Sequence, residues 1–275
     1  MGVHIGDEQT LDQTAGLVAP INLISHATLR TAVGRLQEQR GIADADIAFR
    51  ALLRVAMRYG VKLRHLSAAV IATDTRPRDA VRAPAPALSF SLRGRGEAPK
   101  RADVLADLLT TAVDLFAAPA GAVQLRDAMH GGLCIESHTG VTEQFRQHFS
   151  YLEDGGSAAA HATAQCEVTR VDDVSISPLY RLADMEVLAG SGVHAEIAVP
   201  MCDEDGRNWG AVTVMFGTPH PRLDPFAIEM LHGHADSCAQ WLRWYDSAVM
   251  PMLVDAVHDV AAALAAEKGG TAVSA

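Results

Sequence analysis

Between residues 35 and 65 the chain carries side chains suited to gripping a phosphate backbone and stacking on bases: Arg35, Arg40, Arg50, Arg54, Arg58, Tyr59, Lys62, Arg64 and His65. Arginine and lysine bind phosphates while releasing condensed counterions, and an aromatic ring offers its face to an unstacked base. Arg50, Arg54 and Arg58 recur every four residues, so a helix would line them along one face. Lys62, Arg64 and His65 open the next apolar-periodic stretch, where the free backbone N–H groups of a helix start also favour an anion. The chemistry expected of this set is recognition of a polyanion.

Other reactive side chains lack the company that catalysis needs. His234 and Cys238 have the i, i+4 spacing of a metal pair, with His232 close by, but one helix supplies two or three ligands and no fourth stands near in sequence. Packing, with no metal, is expected there. Cys134 with His138, or His161 with Cys166, would suggest a thiol-based site, yet no third orienting group can be assigned. There is no phosphate loop, kinase signature, GxSxG or HExxH. The expectation is a protein that is not an enzyme. Cys134, Cys166, Cys202 and Cys238 form no CxxC pair and are expected to be free, buried and apolar in role. The acidic run Asp203-Glu204-Asp205 is expected to be solvated in a turn.

The elements that position the basic set read as three short helices within residues 26–73. HATLRTAVGRLQEQRG and ADIAFRALLRVAMRYG each end on glycine, a common helix stop, and KLRHLSAAVIAT follows. Leu36, Phe49, Leu52, Leu53, Val55, Ala56, Leu63, Leu66 and Val70 are the expected core of this unit. Charge singles it out. The chain carries 23 basic and 33 acidic side chains, a formal charge of −10. Residues 26–101 hold 15 basic and 6 acidic side chains, whereas residues 102–275 hold 8 and 24. Such an asymmetry joins a polyanion-binding part to a part that avoids polyanions.

Residues 1–25 show weak patterning, and 74–101 form a basic linker rich in proline and glycine, within which LSFSL (88–92) alternates like a strand that could dock on a sheet edge. From 102 to 248 the pattern is α+β. A helix (102–117) precedes two strands (121–127 and 132–138), a polar helical stretch (142–154), a loop with a short helix (155–166) and a further strand (168–175). HAEIAVPM and WGAVTVMFG flank the turn DEDGRN and make a hairpin. A long helix follows over 224–248, with Asp224 as its cap and Pro225 in its first turn. Trp241, Leu242, Trp244 and Tyr245 near its end, with an amphipathic segment inside 249–275, are expected to form a bundle with helix 102–117 that makes a homodimer. No run approaches the ~18 apolar residues of a membrane span, and no secretory signature opens the chain. The expected location is cytoplasmic, with no membrane partner.

The order of elements over 102–247, with GSGVHAEIAVPM, its polar turn and NWGAVTVMF, resembles a GAF domain. That resemblance implies a small-molecule sensor or a dimerisation platform, with the ligand and any cofactor unknown. Pocket walls are expected from Val123, Leu125, Cys134, Glu136, the 155–190 segment, Ile197 and Val214. The basic trio resembles an ANTAR domain through Ala32, Gly34, Leu36 and Arg40-Gly41-Ile42, then Ala48-Phe49, Leu52, Leu53, Arg54 and Ala56, then Lys62-Leu63-Arg64 and LSAAVI. Ser67 departs from the usual alanine, and the module precedes the sensor where the family pattern would have it follow. The resemblance implies binding of RNA hairpins in transcription antitermination, gated by the GAF-like domain. Two alternatives remain: a ligand-responsive DNA-binding regulator, and a thiol redox enzyme of GAF type.

Overall fold

Three helices form because each has one small, apolar stripe and a polar remainder. They are α1 (Pro20–Arg40), α2 (Ala45–Tyr59) and α3 (Leu63–Ala72). The Asp44 carboxylate caps α2 by accepting from the Asp46 N–H at 2.9 Å. Gly60 ends the helix with φ at 63°, a left-handed turn that costs glycine nothing. Ala32, Leu36, Ile47, Ala48, Ala51, Leu52, Val55, Leu66 and Val70 are buried between the helices. Leu53, expected in this core, stands 37% exposed beside Arg54, while Phe49 and Leu63 are half-buried. The computed structural model describes residues 20–40, 42, 44–72, 84–91, 100–153 and 155–273, without the side chains of Pro20, Arg40 and 269–273. Residues 1–19, the Arg40 side chain and the linker stretches 74–83 and 92–99 lie outside the described residues.

The second domain follows as α4 (Arg101–Leu115), β1 (Ala120–Arg126), β2 (Leu133–Thr139), α5 (Glu143–His148), β3 (Tyr151–Leu152), α6 (Ala158–Gln165) and β4 (Thr169–Val171). Then come α7 (Leu182–Gly190), β5 (Ala195–Cys202) and β6 (Asn208–Phe216). The strands make one antiparallel sheet in the order β3-β2-β1-β6-β5-β4. Alternation sends Val123, Leu125, Ile197, Val199, Val212 and Val214 to one face, in a core shared with α4 and the long C-terminal helix. Ala122, Gln124, Glu196, Ala198, Thr213 and Met215 fall on the other face, under α5, α6 and α7. Gly210, at φ 147°, sits where a Cβ would meet the Gln124 carbonyl oxygen of β1 at 2.0 Å, so β1 and β6 pair only because it has none.

Two expectations need correction in this domain. Asp203 is buried, not solvated: its carboxylate accepts from the N–H groups of Asp205 and Arg207 and from the Trp209 indole, which builds the β5–β6 turn. Cys166 and Cys202 are not free but form a disulfide with 6.5 Å between their Cα atoms. Cys166 closes α6 in a left-handed conformation and Cys202 ends β5, so the bridge ties α6 to the sheet. Cys134 and Cys238 are free and buried.

The last helix couples the two parts. It begins at Asp224, whose carboxylate accepts from the Phe226 N–H, runs as α8 (Pro225–Trp244), passes a π-helical turn (Tyr245–Val249) and continues as α9 (Met250–Val273). α8 packs on β5 and α4, while α9 packs on α2 and α3. Leu253, Val254, Val257, Ala261 and Leu264 extend the apolar core into the N-terminal trio, which is too small to fill its own. Lys268 pairs with Asp44 at the start of α2. The expected bundle is thereby corrected: the 249–275 segment covers the trio and not helix 102–117. Among the described residues, Pro225–Lys268 is long and apolar enough to cross a membrane by length and composition, and in this fold its apolar side faces the two domains. The described linker residues 84–91 lie along helices instead of a sheet edge, with Ser89 bonded to Ser237 and His234, and Ser91 to Asp107.

Candidate functional site

α2 presents its outer face to solvent because Ala48, Ala51, Leu52, Val55 and Ala56 point inward. Arg50, Leu53, Arg54, Met57 and Arg58 are exposed together, Met57 at 73%. The Arg58 guanidinium lies 5.4 Å from the centre of the Tyr59 ring, and Arg50 pairs with Asp46 at 3.4 Å. Cations and apolar groups side by side suit both phosphates and splayed bases. Arg35, also expected in this set, is half-buried and engaged in α1.

Lys62, Arg64 and His65 do something else. They open α3, and all three close on one carboxylate, Glu136 of β2. Lys62 Nζ lies 3.1 Å from Glu136 Oε2 and donates to the carbonyls of Ile135 and Glu136, each at 3.1 Å. Arg64 donates to Glu136 Oε1, and His65 Nε2 lies 2.9 Å from the same oxygen. The Glu136 side chain is only 3% exposed. Burial, with the cations of Arg101, Arg64 and Lys62 around it, pulls the His65 imidazole well below its ordinary range. Facing a carboxylate oxygen, the ring donates its Nε2–H there. Burial also draws the Lys62 ammonium down to about 7, as does the nearby Arg64. A carboxylate at a helix start ringed by cations occupies the place where a phosphate would be bound.

The sheet face under α5, α6 and α7 holds a cavity closed down to about 20 Å³, room for roughly one water. Its polar lining is Gln124, Ser157, Glu196 and Thr213, with Phe145, Phe149 and Tyr180 around them. The expected wall residues lie elsewhere. Val123, Leu125, Ile197 and Val214 pack against the helices on the opposite face, and Cys134 and Glu136 face the start of α3. Of the expected walls only residues of the 155–190 segment reach this cavity. Thr213 Oγ1 is buried without a hydrogen-bond partner among the described residues.

Burial raises the Glu196 carboxyl from 4.5 to about 7, against the opposing pull of the Ala158 N–H. The folded state then holds this proton more tightly than the unfolded state does. Its contribution is complete below the unfolded value and is lost as pH rises through the folded one, by about 3 kcal/mol in all. Glu196→Gln, which keeps the shape and removes the titration, is expected to be about 3 kcal/mol more stable than the native chain at pH 8. Urea unfolding at pH 5 and pH 8 checks this, and an unchanged pH slope in the variant would refute it.

The GAF domain family matches residues 100–242, and the ANTAR domain family matches residues 22–71. The GAF match covers more than half of the chain. This chain belongs to the GAF family. Its N-terminal helices are an ANTAR domain, so the order is ANTAR first and GAF second. No curated protein matches the chain. Similar solved structures include the GAF domain of a phosphoenolpyruvate-protein phosphotransferase from Coxiella burnetii, at 14% identity and TM-score 0.47, covering 55% of this chain and 86% of that one. Another is free methionine-R-sulfoxide reductase from Neisseria meningitidis in complex with its substrate, at 20% identity and TM-score 0.43, covering 54% and 83%. None of these similarities bears on ligand or activity.

Within the GAF domain, the aromatic residues expected at a dimer interface are engaged inside one chain. Trp241, Leu242 and Tyr245 are buried, Trp241 stacks on Tyr245 at 5.0 Å, and Trp244 lies beside both. His234 meets Ser89, His232 meets Asp236 at 3.2 Å, and Cys238 is buried. Burial pushes the Cys134 thiol up to about 11, far from the thiolate a nucleophile needs. Sequence reasoning missed Glu136 as the partner of the ANTAR cations, and it missed Glu196 and Thr213. The signal for the latter was a polar residue inside an otherwise apolar strand.

Proposed function

We propose that this chain is a cytoplasmic RNA-binding transcription antitermination regulator, without enzymatic activity, whose GAF domain holds the ANTAR module in a docked, restrained arrangement. The observation that carries the reading is the division of the basic set. Arg50, Arg54 and Arg58 face solvent with Leu53, Met57 and Tyr59, whereas Lys62, Arg64 and His65 close on Glu136. A tandem-hairpin RNA must displace Glu136 to engage the whole set, so anything that loosens the GAF contact strengthens RNA binding. A ligand acts in such a scheme only through different affinities for the docked and released arrangements. Dimerisation belongs to the same proposal, through a surface other than the buried aromatic cluster.

The test is a titration of the full chain against a tandem-hairpin RNA and a duplex DNA of equal length, at two salt concentrations. RNA-selective binding that weakens with salt is expected, and Arg54→Ala should lower the affinity about tenfold by removing a charged phosphate contact. Equal, weak binding to both nucleic acids would remove the antitermination reading. Preference for the duplex would favour a DNA-binding regulator.

A further inference from the structure

Beside the Glu136 cluster, a cavity of about 660 Å³ opens between the two domains. One wall is α3 of the ANTAR module, where Ala68, Ala69 and Ala72 keep the space clear. The facing wall is GAF, formed by the β1–β2 turn and the start of β6, with Met129 and Trp209 as its apolar part. The volume is that of a metabolite site and far exceeds the closed cavity on the sheet's other face.

Three guanidiniums and two carboxylates line it, a formal balance of +1. Arg101, at the start of α4, is 8% exposed and lines the cavity, and its Nε has no hydrogen-bond partner among the described residues. Arg126 and Arg207 stand at the rim, with the Arg207 guanidinium held 4.0 Å from the centre of the Trp209 ring. Two carboxylates face them. Asp127 is already engaged, accepting from the backbone N–H groups of Met129 and His130 and from the His130 ring. Asp246 faces Arg101 from the π-turn. Three guanidiniums thus stand against one carboxylate that is not otherwise engaged, and one of them is buried with an idle donor. Planar guanidinium forks match carboxylate and phosphate oxygens.

We infer that this junction binds a small organic anion, carrying a carboxylate or a phosphate, between the ANTAR module and the GAF domain. The charged head reaches Arg101 with Arg126 and Arg207, and an apolar body lies between the α3 alanines and Met129. Because both domains supply walls, the ligand reports directly on whether they are docked. The site stands independently of the RNA reading, and its test contains no nucleic acid.

The experiment is isothermal titration of the full chain with pyrophosphate and, separately, with citrate. Saturable binding of at least one is expected, weakened at least about tenfold by Arg101→Met and by Arg126→Ala and untouched by Arg146→Ala on α5. Arg126 and Arg207 are exposed, so Arg126→Ala and Arg207→Ala remain informative if Arg101→Met fails to fold. Pyrophosphate alone would assign phosphorylated metabolites, and citrate alone would assign organic acids. No saturable binding, or binding that neither Arg126→Ala nor Arg207→Ala changes, overturns the inference.

Discussion

Glu136→Gln is expected to raise affinity for a tandem-hairpin RNA by about a hundredfold at low salt, while the isolated fold of each domain survives. The carboxylate is buried and serves Lys62, Arg64 and His65 at once. Removing one partner of a buried ion cluster typically costs 3–5 kcal/mol, because the remaining charges are left without compensation. In this chain the remaining charges can escape that cost by leaving the interface, so the loss falls on docking and not on either core. At about 1.4 kcal/mol per factor of ten, even 3 kcal/mol released from docking corresponds to about a hundredfold in affinity. The check is an RNA titration of the native chain, Glu136→Gln and the double variant Glu136→Gln with Lys62→Ala, with amide exchange of α3 read in parallel. Unchanged affinity together with unchanged protection of α3 would sink the restraint mechanism.

Reduction of the Cys166–Cys202 bridge is expected to lower the stability of the GAF domain by about 4 kcal/mol. The bridge closes a loop with a sequence separation of 36 residues, and constraint of the unfolded chain over such a span has about that worth. For a domain of this size the melting temperature should fall on the order of 10 °C. The effect is local in origin: without the bridge, the contacts among the described residues that hold α6 to the sheet are its alanine packing, the Ala158 N–H on Glu196 and His161 against Thr169. Ser157 and Ala159, at the start of the same helix, line the small cavity. Thermal melts with and without dithiothreitol, beside Cys202→Ser, make the comparison. A native chain shown by thiol counting to be bridged, yet melting alike in both conditions, would contradict it.

What could be read from the residues was what neighbours in sequence decide. The Asp224 cap with Pro225, the glycine stop at Gly60 and the β5–β6 hairpin around DEDGRN all depend on a few adjacent side chains. The pocket face was misplaced because both faces of this sheet are covered. Val123, Leu125, Ile197 and Val214 looked like walls, yet they meet helices, while the polar Gln124, Glu196 and Thr213 are buried on the other face. α7 escaped notice because its apolar residues, six of nine, are spread around the helix and mark no helical period. The most consequential contacts join residues more than 70 positions apart, as His65 and Arg64 join Glu136. No local periodicity encodes such a meeting. The same holds for Cys166 and Cys202, where only the fold of α6 onto β5 brings two unremarkable cysteines together.

The π-turn in the last helix sets a phase. One line of buried positions runs through α8 into the turn as Leu231, Ala235, Cys238, Leu242 and Tyr245, and one through α9 as Met250, Val254, Val257, Ala261 and Leu264. Each run keeps steps of three and four, but the step from Tyr245 to Met250 is five, and the Met250 N–H reaches back to the Tyr245 carbonyl. One extra residue is thus absorbed at the turn. An α-helix turns about 100° per residue, so if these same residues ran as a continuous α-helix without the wide turn, the two stripes would point about 100° apart. The angle between the domains is therefore written in the chain as a whole number of residues. Loss of one residue between Tyr245 and Val249 would close the wide turn into regular α-helix with the stripes still aligned, whereas gain of one would re-aim one domain against the other.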